Sequence, residues 1–129
     1  MTIQQANQYF AALPDGFADP EQLGMLLPAS VQQVQFVGVA GTAGKTAVAR
    51  LLAAILQAQG ICAGVYHAGC EPLAARIRVE GAPVDEALLC RAADALAAHE
   101  ELPLQAAELV AAAYCFGEAG CTLAVVELP

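Results

Sequence analysis

Positive charge is scarce in this sequence: its 129 residues carry five Lys plus Arg against thirteen Asp plus Glu, a net charge of −8. The cations are Lys45, Arg50, Arg76, Arg78 and Arg91. They provide no basic surface that would neutralise a nucleic-acid backbone, which excludes nucleic acid as an expected partner. Long apolar runs are also missing. The hydrophobic fraction is 58%, but 30 of those residues are alanine, which suits tightly packed helices better than lipid contact. The longest run, Leu109 to Phe116, falls well short of the roughly 20 residues that span a bilayer, so no membrane partner is expected. The N-terminal "MTIQQANQYF" holds neither a basic residue nor a cleavable apolar segment, and the expected location is the cytoplasm. The five cysteines are odd in number and form no Cys-x-x-Cys pair, so neither a disulfide frame nor a structural zinc site is indicated. His67 and Cys70 have a ligand-like gap with no second pair to complete a site.

From about residue 34 the chain alternates strand-like and helix-like segments. Residues 3 to 13 read as a short helix and "LPDGFADP" as a loop. "VQFVGVA", Val34 to Ala40, reads as a strand buried on both faces. A helix from Lys45 to Gln59 follows, with Gly60 placed to end it in the left-handed conformation. "ICAGVYHA" is then a second strand, so strand, helix and strand fit one right-handed crossover unit. "RIRVEGAPV" alternates with period two around Gly81, which puts Arg76 and Arg78 on one strand face, against an anionic substrate or guarding a sheet edge. Pro83 suits the first turn of a helix whose apolar face includes Val84, Leu88, Leu89, Ala92 and Leu96. A helix over residues 104–117, in which Glu108 begins the apolar stretch and either caps the dipole or meets solvent, leads to the final strand "CTLAVVELP". The expected fold is α/β: a P-loop-type, three-layer α/β/α domain with a mainly parallel sheet over 34–129, preceded by an N-terminal helix and loop tract, 1–33.

The chemistry concentrates in "GTAGKT", Gly41 to Thr46, between the first strand and its helix. Glycines let successive N–H groups converge on an anion, the helix N-terminus adds its dipole, a lysine supplies a point charge, and a hydroxyl ligates magnesium. Gly41 and Gly44 would shape the turn, Lys45 would reach the β- and γ-phosphates, and Thr46 would hold Mg2+. The strict pattern Gly-x-x-x-x-Gly-Lys-Ser/Thr fails at Val39, where it asks for glycine. The competing reading is a tight strand-to-helix connection with Lys45 solvated. Against it, Lys45 is the only lysine in the chain and opposes the helix dipole. Glu127, closing the last strand, is placed to hold magnesium if it faces the same loop.

These residues resemble a known family. "VAGTAGKTAVARLLAAILQAQG" is similar to the Val-Ala-Gly-Thr-Asn-Gly-Lys loop of folylpolyglutamate synthase and dihydrofolate synthase, within the Mur ligase family. "YFAALPDGFADPEQLGMLL" resembles the tract ahead of that loop, "ARIRVEGAPVDE" the Glu-Arg-Ile-Arg-Ile-Asn-Gly segment, and "TLAVVELP" the strand ending Val-Glu-Val-Gly. The resemblance implies ATP-dependent ligation, in which a substrate carboxylate takes the γ-phosphate and glutamate's amine displaces it, releasing ADP and phosphate. Carried over by position, Gly41, Thr42, Ala43, Gly44, Lys45 and Thr46 would bind ATP, with Lys45 acting in catalysis, and Thr46 and Glu127 would hold Mg2+. The implied substrates are ATP, glutamate and a folate or pteroate.

The sequence departs from that family in three places. Ala43 replaces the loop asparagine, Thr46-Ala47 replaces Gly-Ser, and "HAGCEP" replaces a Ser-Pro-His loop whose serine helps hold magnesium. The chain also stops at Pro129, so the expectation is that it does not complete ligation alone. The alternatives are a diverged, non-catalytic nucleotide-binding or interaction module and an unrelated P-loop kinase or ATPase. An exposed sheet edge would also permit a homodimer.

Overall fold

The structure, a computed structural model, describes residues 1–16, 27–40, 44–98 and 102–127. Gly41, Thr42 and Ala43 lie outside the described residues, as do most of "GFADPEQLGM" and the final Leu128-Pro129.

Helix α1, Ile3–Ala11, opens with a capping box in which Thr2 accepts from the Gln5 N–H. A 3-10 turn, Ala29–Gln33, leads into strand β1, Gln35–Val39, and helix α2, Lys45–Ala58. Gly60, at φ +80°, reverses the chain after that helix. Then come β2, Ala63–Tyr66, the one-turn helix α3, Leu73–Arg76, and the short strands β3, Ile77–Val79, and β4, Ala82–Pro83. Helices α4, Glu86–Ala97, and α5, Leu104–Glu118, precede the last strand, β5, Leu123–Glu127.

The five strands form one sheet in the order β1-β5-β2-β3-β4. β5 lies between β1 and β2 and is parallel to both, while β3 and β4 continue the sheet as an antiparallel hairpin. The α/β class with a mainly parallel sheet is therefore observed. Alternation along the strands divides the core. Tyr66, Ala124 and Val126 face α4 and α5, in a cluster that also takes in Ala6 and Phe10 of α1. Val65 and Val125 face α2 through Ala49 in a much smaller cluster. Gly64 is required by close packing, because a Cβ there would land on the ring of Phe116 in α5.

Four local expectations are corrected. β1 is an edge strand and is not buried on both faces: Phe36 and Val37 are 45% and 41% exposed. Pro83 sits in β4, and α4 starts one step later with Asp85 as N-cap, its carboxylate accepting from the Ala87 N–H. Arg76 ends α3, whereas Arg78 lies on β3, so the two share no strand face; β3 is not an edge, because β4 pairs outside it. Glu108 neither caps α5 nor meets solvent; it is buried within the helix. No described helix is long and apolar enough to cross a membrane.

Candidate nucleotide site

The amino end of α2 and the carboxyl end of β5 meet above the sheet. Gly44 is the N-cap of α2 at φ +78°, a conformation that strains any side-chain-bearing residue. It supplies no side-chain cap, so the first-turn N–H groups, which lack partners within the helix, point out of the amino end of α2. The first turn holds no acidic residue; its side chains include Lys45 and Thr46. Thr46 Oγ1 donates to Glu127 Oε2 at 2.8 Å, and Lys45 Nζ lies 4.0 Å from Glu127 Oε1. Glu127 is only 6% exposed and needs these partners, since a buried carboxylate without them is costly.

A third contact to this carboxylate comes from the loop after β2, where the Ala68 N–H donates to Glu127 Oε2 at 3.3 Å. That loop holds no serine; its share is a peptide N–H. Its neighbour His67 is buried, with Nε2 at 3.3 Å from Arg50 Nη2 and Nδ1 at 3.2 Å from the Ala68 carbonyl. A guanidinium has no acceptor, so Nε2 must accept and Nδ1 carries the proton that Ala68 receives. Arg50, His67 and Ala68 thus fix the loop that holds Glu127. Among the described residues no cluster of three or more His, Cys, Asp or Glu is spaced to bind a metal, and His67 and Cys70 form no such site.

The donor set suits a hard divalent cation. Adjacent ligands of an octahedral magnesium, bound at roughly 2.0–2.1 Å, stand about 2.9 Å apart, close to the 2.8 Å between the Thr46 and Glu127 oxygens. A cavity of about 370 Å³ opens beside Glu127, with Tyr66, Gly69, Arg76, Gln105 and Glu108 in its walls. Arg76 donates to both Glu108 oxygens at 3.0 and 2.6 Å, and the Tyr66 hydroxyl adds a third bond at 2.8 Å. Burial and the neighbouring Glu108 push the Tyr66 pKa above its ordinary value. Burial works against the Arg76 charge, but its bonds to Glu108 outweigh this and raise its pKa. This trio escaped the sequence reading, although a carboxylate between Ala107 and Leu109, directly before the apolar run Leu109 to Phe116, is a legible sign of a buried partner. Arg50 and His67, from different elements, left no such sign.

No protein-family model matches this chain, and no curated protein matches its sequence. Solved structures do. The folylpolyglutamate synthetase of Lactobacillus casei superimposes with a TM-score of 0.79 at 22% identity, covering 98% of this chain and 36% of its own. The Mycobacterium tuberculosis folylpolyglutamate synthase, complexed with ADP, gives 0.80 at 23% identity, covering 98% of this chain and 32% of its own. The E. coli FolC structure, in complex with DHPP and ADP, gives 0.79 at 22% identity, covering 100% of this chain and 33% of its own. The chain thus spans about a third of the length of the structures it matches, and it has the fold of the N-terminal portion of a folylpolyglutamate synthetase.

Proposed function

We propose that this chain binds Mg-ATP at the amino end of α2 and is the nucleotide-binding segment of an ADP-forming ligase that joins glutamate to a folate or pteroate carboxylate. The observation that carries the reading is the convergence of Thr46, Lys45 and Glu127, with two hard oxygens 2.8 Å apart and a cation beside them. ADP in the matching M. tuberculosis and E. coli complexes supports the choice of nucleotide.

In this reading Gly44 and the first-turn N–H groups of α2 cradle the phosphates, and Gly41, Thr42 and Ala43 take part in binding ATP. Lys45 neutralises negative charge as the γ-phosphate passes to the acceptor carboxylate. Thr46 and Glu127 would hold Mg2+, which supplies further charge neutralisation. The Arg50–His67–Ala68 chain keeps Glu127 oriented, and the cavity beside Glu127 gives an acceptor room. The amine of glutamate then displaces phosphate from the acyl phosphate to leave an amide.

Calorimetric titration with Mg-ATP tests the binding step. Wild type is expected to give a saturable isotherm that Lys45→Ala weakens by about tenfold or more; two equally silent proteins would sink the proposal. The chain alone is expected to release no ADP in a glutamate-dependent way, and such turnover would overturn that part of the reading. Among the described residues β1 ends the sheet, with Phe36 and Val37 exposed, a position that also favours a homodimer. A monomeric mass by light scattering would reject it.

A further inference from the structure

A groove of about 250 Å³ lies between α2 and the β3–β4 hairpin, on the α2 side of the sheet. Two of the chain's five cations, Arg50 and Arg78, line it together with the amide side chain of Gln57. Ala53, Ala54 and Val65 form its apolar lining. Among the described residues neither arginine makes an ion pair, although the chain carries thirteen carboxylates. Each guanidinium is instead steadied by a neutral acceptor: Arg50 donates to His67 at 3.3 Å, and Arg78 Nη2 to the Gly81 carbonyl at 2.6 Å. Each keeps further N–H groups beyond that one bond, in a planar fork that matches an oxyanion.

Two like charges sharing one groove repel, and a bound anion converts that repulsion into charge-assisted hydrogen bonds. The carbonyl end of α2 opposes an anion only weakly and only within its last turn, while Arg50 sits two turns earlier. The groove takes none of the phosphate- or metal-contacting groups of the candidate nucleotide site, and the two are linked only through Arg50, which also steadies His67. Gln57 lies about 16 Å along the helix from Thr46 at the α-helical rise per residue, and neither Lys45 nor Glu127 lines the groove.

We propose that this groove is a second anion site, taking a small, doubly negative organic oxyanion, a phosphate ester or a dicarboxylate, whose short apolar body rests on Ala53, Ala54 and Val65. The site does not depend on nucleotide binding at α2.

The test is backbone-amide NMR on the 129-residue chain, titrated separately with inorganic phosphate and with succinate. Saturable shifts are expected at Gln57, Val65 and Gly81 with at least one probe. Phosphate alone identifies the ester class, succinate alone the dicarboxylate class, and a response to both supports the shared oxyanion chemistry. Arg78→Gln should weaken that response about tenfold or more, with the Lys45 and Thr46 response to Mg-AMPPCP unchanged. Gln57→Leu, on the surface of α2, serves the same purpose if Arg78→Gln perturbs folding. Shifts confined to Gly44–Thr46, no saturable response to either probe, or a response that both substitutions leave intact would overturn the proposal.

Discussion

Glu108 shows how much one buried charge can demand of its surroundings. Its carboxylate sits inside α5 and accepts from Arg76 and Tyr66, so removing it strands a guanidinium with little access to solvent. Glu108→Ala is therefore expected to destabilise the fold by about 3–5 kcal/mol, read as a lowered urea midpoint; a loss below about 1 kcal/mol would show that the pair is solvated. The buried thiols give a second prediction. Burial pushes Cys115 from its ordinary 9.0 to about 12, and burial together with the neighbouring Cys62 does the same to Cys121. Above pH 9 these thiols ionise in the unfolded chain and stay protonated in the folded one, so the unfolded state binds fewer protons and stability falls as pH rises from 9 to 12. Below pH 9 their contribution is fully present. Melting temperatures at pH 8, 9, 10 and 11 should decline in that window, with a shallower slope in Cys115→Ala; identical slopes would refute the assignment.

At the scale of elements, α2 brings the proposed chemistry together because one end of it does two jobs. Its first turn presents N–H groups that have no partner within the helix, and its second residue, Thr46, reaches across to the last residue of β5. Both features were legible as a glycine-rich turn between strand and helix and as a carboxylate closing an apolar strand. Less was legible where elements are short. α3 has four residues and β4 two, too few for any hydrophobic period to show, and so Arg76 read as strand and Pro83 as helix. The Arg76–Glu108 bond spans 32 positions and Arg50–His67 spans 17, separations that local spacing does not encode. Tertiary packing also fixed Gly64: Gly64→Ala would drive a methyl into Phe116 and should cost about 1–3 kcal/mol, measurable by chemical denaturation and contradicted by an unchanged midpoint.

Over the whole molecule the two faces of the sheet are unequal. One carries most of the core under α5, α4 and α1; the other is covered by α2, which buries little beyond Ala49. The outer side of α2 presents Val48, Leu51, Leu52 and Ile55 at helical spacing, between 37% and 62% exposed. The larger core holds the sheet in place, while the thinner α2 layer carries Lys45 and Thr46 to Glu127. AMPPCP titrated with and without Mg2+ into wild type and Glu127→Gln probes the proposed magnesium–nucleotide site at this junction. Mg2+ is expected to tighten binding to wild type, and Glu127→Gln to abolish most of this gain. Binding that is absent, or equally Mg2+-dependent in both proteins, would contradict it.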